Sequence, residues 1–415
     1  MEILPINAIV YNQEKVSIND VIAPPYDVID NKYQDELYKR SDYNIVRLIL
    51  AKGENKYNEA SNYFKKWQED GILIPVKKPS IFYIIQKYTN EKGDLIERKG
   101  FIARNKIEEF STKKILPHEY TMGGPKEDRF KLITSTGAFF SQIFMVYNDT
   151  EQVIENSILP KYTSKKPFMD VIDDYDVENV VYLIDDDDDI KLIQKVLENK
   201  TLLIADGHHR YETSLRYSKE HPENEYAKYV MSYFTNSADK NLIIYPTHRI
   251  IEKNINKDDI LNAVKKYYTI ETADNKDEFL NKIEEENKKQ ITTGLILKGD
   301  NKFYILKLNP EAKNKIDAPE VLRNLDLTAL HELILKKELK FKDEELMAQN
   351  GIKYEKRESV AFNSLNHGAS AVFIMAYPKM QDILNISGEG YRMPQKSTYF
   401  YPKLLSGIVI NPIKR

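Results

Sequence analysis

The chain has 415 residues, of which 30% are charged and 41% hydrophobic, and a formal net charge of −3, so it can form two or three domains but has no global basic field for nucleic acid or anionic membranes. The absence of cysteine excludes disulfides, thiolate zinc sites and cysteine nucleophiles. Because the N-terminus lacks signal-peptide features and every apolar run is too short to span a bilayer, we expect a soluble, cytoplasmic protein.

The first 110 residues combine short apolar runs, typical of strands, with one amphipathic helix. Apolar and aromatic residues recur at helical spacing over 57–69, which predicts that Trp67 is a core residue. Residues 22–29 read Ile-Ala-Pro-Pro-Tyr-Asp-Val-Ile, and the two prolines stiffen this backbone. Such a loop can present Tyr26 and Asp27 to a ligand, and an ordinary proline-rich turn explains it equally well.

A second polar cluster lies in a predicted loop over 115–125 and in the helix that follows it. Pro125 and the acidic residues after it are ordinary features of a helix N-terminus. They do not explain the other polar residues of this segment, which we take as candidate ligand-binding residues. These are His118, Glu119, Thr121, Lys126 and Arg129. Residues 139–147 then form a predicted strand.

Five consecutive aspartates occupy positions 185–189. A calcium-binding loop needs spaced ligands and a glycine. The unspaced run therefore predicts a solvated loop rather than a metal site.

The stretch 201–213 has the highest density of residues suited to chemistry. An apolar run over 202–205 predicts a buried strand, and a tight turn and the start of a helix follow it. Backbone N–H groups at a helix start attract anions, and an arginine side chain matches phosphate geometry. Histidines can donate to phosphate oxygens or move a proton. The candidate ligand contacts are Asp206, Gly207, His208, His209 and Arg210. The alternative is a purely structural turn with capping residues, which this density makes the weaker interpretation.

The pattern changes after residue 250. A lysine- and glutamate-rich block over 251–312, with two helices and two strands, predicts a small α+β module. We predict a catalytic core over 1–250 and a C-terminal segment over 313–415 that returns to it, within an α/β (α+β) protein. His331 lies among apolar positions of a predicted helix and is best explained as a structural histidine.

Further polar residues suited to anion binding flank the block over 251–312. A dense loop over 393–403 interleaves hydroxyl and ammonium donors with aromatic residues. The alternative for this loop is a charged surface segment. The candidate residues are His248, Arg249, Lys396, Ser397, Thr398 and Lys403.

These motifs resemble those of the ParB/sulfiredoxin superfamily, in which the free-serine kinases carry a very similar Asp-Gly-His-His-Arg loop. More of the chain is similar to one long family, first described only as a domain of unknown function. Its motifs match at 23–28, 118–129, 205–213, 246–249 and 396–403. The resemblance implies a ParB/sulfiredoxin-like mixed-sheet catalytic core with additional α+β modules. It also implies phosphorylation of free L-serine to O-phosphoserine, with pyrophosphate or ATP as donor, in cysteine or serine metabolism.

The resemblance also implies roles for individual residues. In the free-serine kinases a Pro-His-Glu segment supplies the catalytic base, so Glu119 is the matching candidate here. Asp27 is the competitor for that role, and His208 is a further candidate catalytic residue. Mg²⁺ is the implied cofactor, with Asp206 as its candidate protein ligand. The chain has neither a P-loop nor a kinase glycine-rich loop, so side chains are expected to hold the donor.

Three other functions remain open from the residues alone. The first is a nucleotide-binding, ParB-like DNA-associated regulator, which predicts a helix-turn-helix and a basic face. The second is a metal-dependent hydrolase built on His208 and His209, although metal-binding histidine pairs prefer other spacings. The third is a non-catalytic small-ligand sensor. We expect small-molecule partners, no nucleic acid and no membrane, and the sequence does not indicate the oligomeric state.

Overall fold

The chain divides into two compact units in the computed structural model, which describes residues 1–91, 93–121 and 123–413. Unit 1 comprises residues 1–243 together with the segment from Pro402 onward, and unit 2 comprises residues 244–401. Met122, within the predicted loop 115–125, lies outside the described residues.

The described residues form strands throughout both units. In chain order the strands are β1 (Ile3–Leu4), β2 (Ile9–Tyr11), β3 (Leu73–Pro75), β4 (Ile81–Thr89), β5 (Leu95–Lys106), β6 (Ile115–Pro117), β7 (Ala138–Phe139), β8 (Ile143–Tyr147), β9 (Met169–Ile172), β10 (Glu178–Ile184), β11 (Leu202–Asp206), β12 (Tyr229–Asn236), β13 (Ile243–Tyr245), β14 (His248–Ile251), β15 (Tyr268–Ala273), β16 (Thr292–Leu297), β17 (Phe303–Leu308), β18 (Ile352–Glu355), β19 (Ala371–Ile374), β20 (Tyr399–Tyr401) and β21 (Asn411–Pro412).

Helices connect most of these strands. The α-helices are α1 (Ile18–Val21), α2 (Asn31–Arg40), α3 (Val46–Ile49), α4 (Lys56–Glu69), α5 (Gly123–Thr136), α6 (Val153–Ser157), α7 (Leu159–Thr163), α8 (Asp187–Leu197), α9 (His208–Glu220), α10 (Lys257–Lys265), α11 (Lys276–Glu286), α12 (Asp326–Ala329), α13 (Asp343–Ala348), α14 (Glu358–Asn363) and α15 (Met380–Gly388). A π-helix occupies Leu330–Lys336, and short 3₁₀ turns occupy Tyr26–Val28, Phe110–Thr112, Glu225–Lys228, Pro310–Lys315, Leu322–Asn324 and Ser364–His367.

Unit 1 is built on a mixed sheet of nine strands. Its order is β6-β11-β8-β12-β5-β4-β10-β9, and β1 pairs with β5. Within the described part of this sheet, β6 with β11 and β8 with β12 are parallel, and the other pairs are antiparallel. This arrangement confirms the predicted α/β (α+β) class with a mixed sheet in the core.

Helices α4, α5 and α9 form a packed group in unit 1. The Ser61 hydroxyl donates to the Ser135 carbonyl at 3.0 Å and joins α4 to α5. The rings of Phe130 and Tyr217 lie 6.3 Å apart and join α5 to α9. Trp67, on the inner face of α4, is 2% exposed, which confirms its predicted place in the core.

Three local predictions in unit 1 need correction. The predicted strand over 139–147 is two strands, β7 and β8, and helix α5 begins at Gly123, earlier than the sequence suggested. The run of aspartates is exposed over 185–188 as predicted, but residues 187–189 form the first turn of α8 instead of a loop. Asp186 accepts hydrogen bonds from the amides of Asp188 and Asp189 and so caps helix α8, where acidic residues in the first turn are favoured by the helix dipole.

Unit 2 contains a six-stranded antiparallel sheet in the order β15-β17-β16-β19-β14-β18. One face packs on residues of α10 and the π-helix, including Val264 and Leu333, which are fully buried. The other face packs on α11, including Phe279 and Ile283. Helices therefore cover both faces, and residues 251–312 share this sheet with β18 and β19 instead of forming a separate module as predicted.

The sequence located part of unit 2 correctly. Helices α10 and α11 and strands β16 and β17 were predicted, whereas β15 was missed. The predicted helix that contains His331 is divided in the structure, where a 3₁₀ turn, α12 and the π-helix follow one another. Among the helices of the described ranges, none combines the length and apolar character needed to cross a bilayer.

Close packing at Gly294 predicts a large stability effect from a small substitution. A Cβ at this position in β16 would collide with the Phe279 ring and would lie 2.5 Å from Cδ1 of Ile283. We therefore expect Gly294→Ala to lower the free energy of unfolding by about 1–3 kcal/mol, the usual cost of overpacking. Gly388→Ala is the matched control, because a Cβ there meets no atom within 4 Å. Urea unfolding of both variants checks this, and equal midpoints would contradict the packing argument.

Candidate active site

The parallel pairing of β6 with β11 brings two sequence motifs together in unit 1. In this pair Pro117 lies opposite Ile204. The carboxyl ends of parallel strands meet at one edge of a sheet, where ligands commonly bind in α/β proteins. His118 and Glu119 therefore leave β6 next to the turn that ends β11. A register shift against β8 between Ile204 and Asp206 is the kind of irregularity that re-aims a side chain.

The turn after β11 requires glycine for two reasons. Gly207 has φ +91° and caps the N-terminus of α9, and this left-handed conformation is costly for other residues. A Cβ at the same position would also lie only 2.9 Å from Nη2 of Arg210. The glycine therefore allows both the sharp turn and the close approach of the arginine side chain.

Asp206 lies between two cations. Its Oδ1 accepts a hydrogen bond from Nζ of Lys403 at 2.7 Å, and its Oδ2 accepts one from Nη2 of Arg210 at 2.8 Å. Burial alone would raise the pKa of Asp206, but the Lys403 ammonium and the Arg210 guanidinium hold it well below its ordinary value. Arg210 also donates to the carbonyl of Gln142 at 2.6 Å. Both cations are thus fixed by groups of unit 1.

The two buried histidines at this edge are held in defined tautomers. Nδ1 of His118 lies 2.6 Å from the carbonyl of Ile204, which can only accept, so Nδ1 carries the proton. Nε2 of His208 accepts from the amide of His118 at 3.1 Å and faces that of Glu119 at 3.4 Å. The rings of His118 and His208 meet edge to face with centroids 4.7 Å apart. His208 therefore fixes the backbone that presents Glu119.

Both candidate bases lie in the electrostatic environment of His209. The Glu119 side chain is 30% exposed, and its Oε1 lies 3.8 Å from Nε2 of His118. Burial lowers the pKa of His209, and the carboxylates of Glu212, Asp27 and Glu119 oppose this shift. The structure thus brings Glu119 and Asp27 to the same region around the start of α9.

Glu212 is a polar residue of this site that the sequence interpretation did not select. Its Oε2 accepts from Nζ of Lys126 and from the hydroxyl of Thr121, both at 2.8 Å. Lys126 also lies 3.2 Å from that hydroxyl. The sequence could have indicated Glu212 as a site residue, because it follows His208 by four residues and so lies on the same face of α9.

Arg129 is committed to interactions within unit 1. It donates to the carbonyl of Ile49 at 2.7 Å and to Oδ2 of Asp128 at 2.9 Å, and its guanidinium lies 4.0 Å from the centre of the Tyr26 ring. Burial would raise the pKa of Asp128, but Arg129 and hydrogen bonds from Lys56 and Tyr57 lower it to about 2. Arg129 thus holds the Tyr26 ring in place. Its N–H donors are largely taken up by Asp128 and the Ile49 carbonyl.

The remaining predicted site residues belong to unit 2, except Lys403. Arg249 in β14 is fully buried, and it donates to the carbonyls of Thr247 and Lys396 and to Nε2 of His331. This contact agrees with a structural role for His331. The predicted set in this unit comprises His248, Arg249, Lys396, Ser397 and Thr398. Of this set, the Lys396 carbonyl contacts Arg249, whereas Nδ1 of His248 accepts from the amide of Met375 at 3.2 Å and the Ser397 hydroxyl donates to the Pro394 carbonyl.

The described residues do not form a metal centre of their own. No group of three or more His, Asp or Glu side chains in the described ranges is placed to hold a metal. Both oxygens of Asp206, the candidate magnesium ligand, already accept hydrogen bonds from cations. The described part of the site therefore has no preformed protein cage for a metal.

The buried position of His118 predicts its behaviour on titration. Burial lowers the pKa of this imidazole, so His118 is expected to stay neutral through pH 6.5, where an unfolded histidine is half protonated. Because the unfolded state binds the extra proton, the stability contributed by His118 is lost as the pH falls below 6.5. Long-range ¹H–¹⁵N NMR of the imidazoles checks this. A proton on Nε2, or a titration midpoint above 6.5, would contradict the assignment.

Several solved structures are similar to this chain. A variant of a free serine kinase in complex with ADP is 15% identical, with a TM-score of 0.36, and the match covers 73% of this chain and 90% of that one. A conserved hypothetical protein from Pyrococcus furiosus is 16% identical, with a TM-score of 0.35 and coverages of 73% and 93%. C-terminally truncated SbnI from Staphylococcus aureus is 10% identical, with a TM-score of 0.36 and coverages of 74% and 85%.

Sequence comparison gives a family. No curated protein sequence matches the chain significantly. Residues 3–328 match the model of the family described as "Protein of unknown function (DUF1015)". Since the match spans most of the chain, this protein belongs to the DUF1015 family.

Proposed function

We propose that the protein is a phosphotransferase that phosphorylates the hydroxyl of free L-serine to O-phosphoserine. The observation that carries the proposal is the placement of Glu119 at the edge of the sheet where Asp206 lies between Lys403 and Arg210. This arrangement combines a proton acceptor with fixed cations, which are the two things that phosphoryl transfer requires of a protein.

The start of α9 supplies the anion-binding part of the proposed site. The first N–H groups of a helix have no partner within the helix, and the helix dipole favours negative charge there. Gly207 caps this end without a side-chain hydrogen bond. Arg210 and Lys403 add positive charge that a phosphoryl group would share with Asp206. Lys126, held by Glu212 and Thr121, is a third cation for the remaining phosphate oxygens.

The proposed reaction needs one proton acceptor. Glu119 takes the proton of the serine hydroxyl, the hydroxyl oxygen forms a bond to phosphorus, and the bond from phosphorus to the donor's bridging oxygen breaks. The leaving group is inorganic phosphate when pyrophosphate is the donor and ADP when ATP is the donor. His208 acts on this step indirectly, because its Nε2 fixes the backbone around Glu119.

In this proposal Mg²⁺ binds to the protein together with the phosphoryl donor. Because the described residues form no metal cage, a polyphosphate would supply most ligands, as is common for magnesium in phosphoryl transfer. Bound magnesium would neutralise charge on the phosphate oxygens. The protein's own contribution is to hold the phosphates at α9 and to accept the proton at Glu119.

Activity with each donor is the first test. The purified protein is incubated with L-serine, Mg²⁺ and either pyrophosphate or ATP, and O-phosphoserine is followed by mass spectrometry. We expect product with at least one donor, because the site offers cations for either. Reactions without protein and with D-serine are the controls. Absence of phosphoserine with every donor would exclude the serine kinase proposal.

Substitution of the two candidate bases is the second test. Loss of a positioned general base typically costs 10²–10⁴-fold in rate, so Glu119→Gln is expected to lower kcat by roughly that factor with an unchanged melting temperature. Asp27→Asn is the matched control and is expected to change kcat much less. If Asp27→Asn has the larger effect, the base is Asp27 and the role proposed for Glu119 is wrong.

A further inference from the structure

Unit 2 contains a cavity of about 380 Å³ whose lining residues all belong to that unit. This volume lies within the range of small-molecule pockets. The walls combine apolar side chains, such as those of Leu325, Leu327 and Met375, with charged groups. Such a mixture is typical of sites that orient a small polar ligand.

Two carboxylates that line the cavity each have a cation nearby, Arg249 for Asp326 and Lys379 for Asp382, but form no close ion pair with it. Asp326 accepts hydrogen bonds from the amides of Leu327 at 2.6 Å and Ala376 at 3.0 Å. Within the described chain, neither Asp326 nor Asp382 forms an ion pair. Burial raises the pKa of Asp326 to about 6 and also raises the pKa of Asp382, and the Asp382 charge adds to the shift of Asp326. A cationic group placed between them would remove this penalty.

Positive charge lines the same cavity. Arg249 is fully buried, and its hydrogen bonds go to backbone carbonyls and to His331. The nearby Asp326 carboxylate favours its charge without a hydrogen bond to it. Four lysines complete the set of cations in the lining. They are Lys288, Lys289, Lys313 and Lys379. Five cationic side chains thus accompany two carboxylates.

We propose that this cavity binds an anionic amino acid, with its ammonium group at Asp326 and Asp382 and its acidic groups toward the lysines. Lys289 already pairs with Glu286. A simple amine would leave the other four cations without a close carboxylate, and a simple anion would leave Asp326 and Asp382 without a close ion pair. An α-amino acid with a second acidic group satisfies both sets. That second group is a phosphate, as in a phosphoamino acid, or a carboxylate, as in a dicarboxylic amino acid. This binding site is independent of the proposed phosphotransferase activity.

Isothermal titration calorimetry of the full-length protein tests the proposal with four probes. O-phospho-L-serine and L-glutamate carry an ammonium and a second acidic group, glutarate lacks the ammonium, and inorganic phosphate is a simple anion. We expect saturable binding of at least one of the two amino acids, with glutarate and phosphate at least tenfold weaker. If O-phospho-L-serine binds more tightly than L-glutamate, the second acidic group of the ligand is a phosphate; if L-glutamate binds more tightly, it is a carboxylate.

Variants assign the binding to the cavity. Asp326→Asn, Asp382→Asn and Lys313→Ala are each expected to weaken binding at least tenfold, whereas Asp277→Asn, an exposed carboxylate outside the cavity lining, is the matched control. Asp382 and Lys313 are half-buried, so their variants keep the test valid if Asp326→Asn does not fold. Absence of binding, equal binding of glutarate, or binding unchanged in the folded cavity variants would overturn the proposal. The kinase proposal is tested by formation of O-phosphoserine and the cavity proposal by the effect of the cavity variants on binding, so the failure of one leaves the result of the other readable.

Discussion

The parallel pairing of β6 with β11 is the constraint on which the candidate active site depends. It makes two strands separated by more than fifty residues end at the same sheet edge, so that the Pro117-His118-Glu119 segment emerges beside the Asp206-Gly207 turn. The hydrogen bonds of the sheet fix this arrangement at the backbone level. Side chains then refine it, because the bond from the His118 amide to His208 ties the two segments together directly. A site held in this way is organised before any ligand arrives.

Charge compensation in unit 1 follows a consistent pattern. Asp206 pairs with Lys403 and Arg210, Glu212 pairs with Lys126, and Asp128 pairs with Arg129. Partly buried ions are stable only when paired and hydrogen-bonded, and each of these pairs keeps a cation in a defined place. The cavity of unit 2 differs, because Asp326 and Asp382 have cations nearby but, within the described chain, form no close ion pair with them. The ions of unit 1 are therefore preorganised by their own pairs, whereas the unit 2 carboxylates are available to a ligand's cationic group.

Elements whose pattern lies in adjacent residues could be predicted from the sequence, and elements that depend on distant contacts could not. The amphipathic pattern of α4 and the apolar run of β11 are properties of adjacent residues, so they were predictable. Strand β15 is an edge strand in which polar residues alternate with apolar ones and half of the residues are exposed, so its sequence carries no apolar run. The segment over 322–336 is buried on several sides, so its leucines indicate a helix without indicating where the 3₁₀, α and π turns change.

The sequence by itself determined the strand, glycine turn and helix start at 202–213, since these depend on local backbone preferences, and it identified most of the polar residues of the site. Only the tertiary structure decided which of them meet. Lys403 reaches Asp206 across 197 positions of sequence, and Glu212 became part of the site through its contacts with Lys126 and Thr121. His248 and Arg249 were assigned to unit 2 by the pairing of β14 with β18 and β19. Contacts between distant residues depend on the packing of whole elements, which no short window of sequence specifies.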